Sequence, residues 1–349
     1  MVTHVTQTTI NLGYNKVTKS RNRERFIMKK ILSIIALFIL VFGLTACKDI
    51  QEEKELVHLK IMAPIGTPAL AQTYMESTLP SLGDNITYEI DSVYGTDPLV
   101  AAFGSGSHDI IYAPTNLGAK LISTGLDYQF AGTVVWGNLY LASTGYDTFT
   151  LDDLDGKEII AFGQNATPDI VLQTILDNHI FTTAPTITYV DSVSQAQAEI
   201  LTDNTKIVLM AEPALSVLGL PTKLGDSLNV IDLQHEWEIV TGSLSYPMAG
   251  IFVKSDLDTN IVNAYLTAVE NSIDEANSNP NEVAQMAVDL DYGFPLGVLI
   301  SAIPRSNLSY LNALESKDAL EIYFTYIIEL NPALIGGNLP GDTFYYSGE

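Results

Sequence analysis

The 349-residue chain has one cysteine, Cys47, and after residue 25 one arginine, Arg305. A single cysteine excludes an internal disulfide, a Cys-ligated zinc site and thiol chemistry in the folded body. His58, His108, His179 and His235 show no metal-ligand spacing, so no metal and no cofactor is expected. Asp-rich calcium loops, Gly-x-Ser-x-Gly elbows and phosphate loops are missing. No period of 20–50 residues repeats, which argues against a solenoid. No apolar run reaches the ~20 residues that span a bilayer.

What is present is charge, and it is split. Of 17 Lys and Arg against 41 Asp and Glu, seven basic residues precede residue 31, where Glu24 is the one acid. The rest carries 10 basic and 40 acidic groups, a balance of −30 within a formal total of −24. Nucleic acid needs clustered cations and is excluded as a partner. An anionic membrane surface is disfavoured for the same reason.

The N-terminus reads as an export signal. Lys29-Lys30 precede the apolar run Ile31–Leu44, and small residues follow, ending at Cys47. Leu44-Thr45-Ala46-Cys47 resembles a bacterial lipobox. That resemblance implies cleavage before Cys47 and diacylation of its thiol, with two acyl chains giving a stable anchor. Residues 1–46 are then leader and signal peptide, with Met28 the expected true start. Residues 47–57 form a lipidated tether whose Lys48–Glu55 stretch is charged and unstructured.

The body begins with alternation at Val57, Leu59, Ile61 and Ala63, a strand signal. Pro64–Pro68 breaks it, and a helix follows with Thr67 as cap and Pro68 inside the first turn. Strand, loop and helix recur at Ile86–Phe103 and His108–Ser123, the pattern of a parallel α/β sheet. Tyr128–Leu141 reads as paired strands turning at Trp136-Gly137-Asn138. A second α/β unit runs from Glu158 to Leu218. Met248–Lys254 returns as a strand, and the chain is mainly helical from Leu257.

In this order, the motifs resemble those of ABC-importer substrate-binding lipoproteins. More narrowly, the chain resembles the nitrate/sulfonate/taurine type, which includes thiamine-precursor binders. The carrying residues are Leu44–Cys47, Ile65–Pro68, Ala113–Asn116, Leu151–Lys157, Glu212-Pro213, Ile335–Pro340 and Phe344–Tyr346. The resemblance implies a two-lobed α/β fold of the type II periplasmic-binding-protein kind, with a hinge and a ligand cleft. Lobe one would be 58–145 plus 248–349, and lobe two 146–247.

In open α/β sheets ligands bind beyond the carboxyl ends of the strands. Loops that open helices there offer free N–H groups. The candidate contacts are Gly66, Thr67, Pro68, Tyr94, Gly95, Asn116, Trp136, Asn138, Gln164, Asn165, Ala166, Thr167, Glu212 and Tyr246. Thr67 and Thr167 are equally ordinary helix caps. Asn116 and Asn138 are equally Asx-turn residues. Tyr94, Trp136 and Tyr246 wall an aromatic slot unless they are core. Glu212 either accepts from a donor-bearing ligand or sits at a helix start. Arg305 reads as a surface or structural ion pair.

The expected function is capture of a small solute and delivery to an ABC permease, by a monomer anchored outside the cell membrane. One arginine makes a guanidinium fork for an anion hard to build, though helix N-termini could serve. The acidic body leans toward a neutral, aromatic or cationic solute. The rival is an enzyme on the same scaffold, of pyrimidine-precursor or menaquinone-pathway type. Pyrimidine-synthase relatives of this kind carry a cysteine-rich motif that is absent here. A surface lipoprotein without transport is the third reading.

Overall fold

A computed structural model describes Met28, residues 56–243 and residues 245–348. Apart from Met28, the leader, the lipobox and Cys47 lie outside the described residues. From Leu56 the chain forms one compact unit built on two sheets. The first holds β1 (Val57–Pro64), β2 (Ile86–Val93), β3 (Ile110–Pro114), β4 (Tyr128–Val135), β10 (Ala249–Lys254) and β11 (Leu308–Asn312). Their order is β11-β4-β10-β3-β1-β2. The second holds β5 (Leu139–Ser143), β6 (Glu158–Phe162), β7 (Thr186–Val190), β8 (Ile207–Ala211) and β9 (Asn229–Asp232), in the order β7-β6-β8-β5-β9.

The two sheets share one plan. β2-β1-β3 and β7-β6-β8 are parallel triplets, each continued by an antiparallel strand, β10 or β5. Strand order reverses between β1 and β3, and again between β6 and β8. Such switch points leave a crevice at the carboxyl ends of the strands. Period-two alternation sends side chains to both faces. Leu59, Ile61 and Ala63 enter one apolar cluster while Met62 enters another, and Leu139 and Leu141 part from Tyr140 and Ala142 in the same way.

Helices α1 (Thr67–Thr78), α2 (Asp97–Ser105) and α3 (Thr115–Ile122) follow β1, β2 and β3. In the second unit α4 (Thr167–Asp177), α5 (Val193–Thr202), α6 (Ala214–Leu218) and α7 (Leu233–Thr241) follow β6, β7, β8 and β9. After β10 come α8 (Thr259–Ser278), α9 (Pro280–Asp289), α10 (Leu296–Ala302) and α11 (Ala313–Leu330). No helix among the described residues is long and apolar enough to cross a membrane.

Two expectations need correction. β4 and β5 do not pair with each other; they lie in different sheets. Both runs are buried along almost their whole length. Each is therefore an interior strand rather than one arm of a half-exposed hairpin. Gly137, at φ 81°, turns the chain between them, and a Cβ there would lie 2.7 Å from both Gln234 and Tyr246. The first passage between sheets thus occurs at 136–138, ahead of β5, and not at the lobe limit 145 expected above. β9 and β11 were not anticipated.

Candidate functional site

A cavity of about 420 Å³ opens where the carboxyl ends of the two parallel triplets meet. On the side of the six-stranded sheet it is lined by Pro64, Ile65, Thr67, Pro68, Gly95, Thr96, Leu99, Pro114, Asn116, Leu117, Lys120, Val135, Met248, Ala249 and Leu334. From the five-stranded side come Asn138, Asn165, Ala166, Thr167 and Pro168. The wall is mostly apolar with a few placed polar groups, as small-molecule sites generally are. Lys120 is its one charged side chain. The acidic surplus of the body stays out of it.

Four helices begin at this wall: α1, α2, α3 and α4. None has a side-chain hydrogen bond at its cap. Their cap residues are Gly66, Thr96, Pro114 and Ala166, three of which have no side chain that could accept. Gly66 adopts φ 128° and ψ −152°, a region open in practice to glycine alone. The first turns of α1, α3 and α4 are buried at Thr67, Thr115, Asn116, Thr167 and Asp169. Pro68 and Pro168 each remove one N–H from the turns of α1 and α4, Pro98 removes one from α2, and Thr115 N donates to Met248 O. The remaining N–H groups face the cavity end with partial positive charge.

The polar side chains are tied together across the two units. Asn138 Nδ2 donates to Thr67 Oγ1 at 2.7 Å and to Glu212 O at 3.3 Å. Thr67 Oγ1 donates to the same Glu212 carbonyl at 3.3 Å. Asn138 Oδ1 is buried and has no partner. On the other wall Thr167 Oγ1 donates to Asn116 Oδ1 at 3.4 Å and accepts from Tyr323 OH at 2.8 Å. Asn165, at φ 58°, is held by its N–H, which donates to Asp169 Oδ2 at 2.7 Å. The other oxygen of that buried carboxylate accepts from Gln173 and Tyr189. Asp169 therefore shapes the loop without entering the cavity.

The cavity brings together Thr67, Pro68, Gly95, Asn116, Asn138, Asn165, Ala166 and Thr167 of the expected contacts. Gly66 caps α1 beside them. Gln164 is exposed and outside the wall. The aromatic slot does not form. Tyr94 is 71% exposed. Trp136 turns its indole N–H to Ser309 O at 3.0 Å. Tyr246 is fully buried, edge-on to Trp237, with its hydroxyl donating to Gln234. Large ring areas gain more from such packing than from a solvated wall.

Glu212 contributes its backbone to the polar network, while its carboxylate turns behind the wall. Oε2 accepts from Ser216 N at 3.1 Å, in the first turn of α6, and Oε1 lies 3.8 Å from Arg305 Nη1. Burial raises its pKa to about 7, partly offset by Ser216 and Arg305. Among the lining residues that were not anticipated are Lys120, Met248 and Leu334. Lys120 lies one turn beyond Asn116, and the i, i+4 spacing marks it as a neighbour. Leu334 arrives from the far end of the chain with no local signal.

A family model described as menaquinone biosynthesis matches residues 143–293, less than half of the chain. No curated protein matches. Among solved structures, an ABC transporter protein from Parabacteroides distasonis is 24% identical at a TM-score of 0.73, covering 84% of this chain and all of its own. The ligand-binding component of an ABC-type import system from Staphylococcus aureus is 15% identical, TM-score 0.61, over 83% of this chain and 96% of its own. The periplasmic aliphatic sulphonate binding protein SsuA of Escherichia coli is 14% identical, TM-score 0.62, with the same coverages. At these identities the likeness speaks to architecture, and the body has the mixed α/β, two-sheet fold of periplasmic binding proteins.

Proposed function

We propose that this protein is an extracytoplasmic solute-binding lipoprotein. It captures a small molecule in the cavity between its two sheets and delivers it to an ABC importer permease. The observation that carries this reading is the meeting of buried, uncapped helix starts from both units at one cavity. A buried helix end without partners is costly unless something supplies them. A ligand rich in hydrogen-bond acceptors would do so, and would favour the conformation in which both walls touch it. With no carboxylate in the wall, such a head group suits the site better than a cation. In this reading the lobes divide near 136–138 and 243–248, the protein acts as a monomer, and acylated Cys47 keeps it beside its permease.

The menaquinone family match supports an enzyme as the second reading. The wall argues against it: acid–base chemistry needs placed titratable groups, and Lys120 is the one in the lining. Glu212, the buried carboxylate with a raised pKa, faces away.

Two measurements test the main reading. Cys47→Ala should move the protein from the membrane fraction to the soluble one; retention in the pellet rejects the anchor. A thermal-shift screen of organic acids, sulfonates, nitrate and thiamine precursors should find a solute that raises Tm, because binding to the folded state stabilises it by RT ln(1+[L]/Kd). Turnover of a bound compound would favour the enzyme.

A further inference from the structure

We infer that Asn138 selects for ligands that carry a hydrogen-bond donor, a hydroxyl, amino or amide group, beside their acceptor-rich head. This rests on the solute-binding reading above and specifies its ligand. The orientation of the Asn138 amide is fixed by its neighbours. The Glu212 carbonyl can only accept, so the Asn138 atom 3.3 Å away must be the nitrogen. Thr67 gives its own hydroxyl proton to that carbonyl and so receives the second amide hydrogen. Both donors of Asn138 are thereby spent within the protein. Its Oδ1 is left as an acceptor without a partner, on a residue 4% exposed that forms part of the cavity wall.

A buried acceptor with no donor is destabilising. An aliphatic side chain at 138 would avoid that cost, yet the amide is held in one orientation from two sides. The wall elsewhere offers donors, at the starts of α1, α3 and α4 and at Lys120. Asn138 Oδ1 is the one buried side-chain acceptor in the lining that lacks a partner. A ligand with acceptors alone would leave it unmatched, and sites built around a polar partner reject analogues that lack it.

The test uses the full-length protein and matched probes: glycolate against acetate, lactate against propionate, 2-hydroxyethanesulfonate against ethanesulfonate. The donor-bearing member of a binding pair should bind about tenfold or more tightly by calorimetry. Asn138→Leu should bring the ratio close to one. It also removes the bonds to Thr67 and Glu212 O, so some loss of Tm in the ligand-free protein is expected, and the ratio, not the absolute affinity, is the readout. Thr67→Val removes the support of the amide but keeps Oδ1, and should weaken both members of a pair while preserving a preference. Equal affinities in the unaltered protein, or a preference that survives in Asn138→Leu, overturn the inference and leave solute binding standing. No stabilisation by any probe, nor by any compound of the wider screen, overturns both.

Discussion

The helices of this protein start in two different ways. Away from the cavity, α5, α7, α8 and α11 each begin at a side chain that accepts from the first turn: Ser192, Asp232, Asp258 and Asn312. At the cavity, α1 to α4 have no such cap. Missing caps are not peculiar to the cavity, since α9 and α10 lack them too. Those two start at exposed residues, where water serves the free N–H groups. What sets α1, α3 and α4 apart is that their uncapped turns are buried. Capped starts contribute to stability, whereas the buried, uncapped ones keep their donors for something outside the chain.

Helix α6 stands between the two sets and gives the largest expected effect. Its first turn is served by the Glu212 carboxylate, which burial raises from the ordinary 4.5 to about 7. Below the lower value the proton is bound in folded and unfolded chains alike. Between the two values the unfolded chain releases it and the folded chain keeps it. Stability should therefore fall as pH rises from 4.5 to 7, by about 3 kcal/mol from this group. Glu212→Gln keeps an acceptor for Ser216 N and should remove that slope. Denaturant titrations of both proteins across this window check it. Parallel pH profiles would mean that the carboxylate is already ionised and α6 is an ordinary capped helix.

Next in size is a cap from the outer set. Asp258 Oδ1 accepts from Asn260 N and Ile261 N. Asp258→Ala should cost about 1 kcal/mol of folding stability, and ligand affinity should stay as it was. A loss of affinity as large as the loss of stability would erase the distinction between the two sets.

The sequence made the cavity legible wherever it follows from a local rule. Strand followed by a small polar loop and a helix puts the loop at the carboxyl end of a parallel strand. That rule located Thr67, Asn116 and the Asn165–Thr167 loop. It says nothing about which sheet a strand joins. β4 and β5 look like a hairpin until their burial on both faces separates them, and this moved the passage between units to 136–138. Aromatic bulk was a poor guide. Trp136 and Tyr246 sit beside the passage in sequence, but Ser309, Gln234 and Trp237 claim them. Ser309 comes from a distant segment, as do Tyr323 and Leu334, and no local pattern carries such contacts. The orphaned Oδ1 of Asn138 is likewise visible only once Thr67 and Glu212 are in place.

The smallest effect is the most direct test of why the inner helix starts lack caps. Ala166 is extended, at φ −125° and ψ 178°, which is the backbone a capping residue needs. A serine there could accept from Asp169 N, since Pro168 at the preceding position has no N–H. It would be neutral, and so would not repel the Asp169 carboxylate that holds Asn165. Ala166→Ser should raise stability by about 0.5 kcal/mol. It should also weaken an anionic probe that binds in the cavity a few-fold, because the new hydroxyl satisfies a donor the ligand would otherwise use. The opposite signs matter more than the sizes. A cap added to the outer set would change stability alone. If chemical denaturation shows the gain and calorimetry shows unchanged affinity, the start of α4 is merely an unfinished helix end, and the ligand takes its donors elsewhere in the wall.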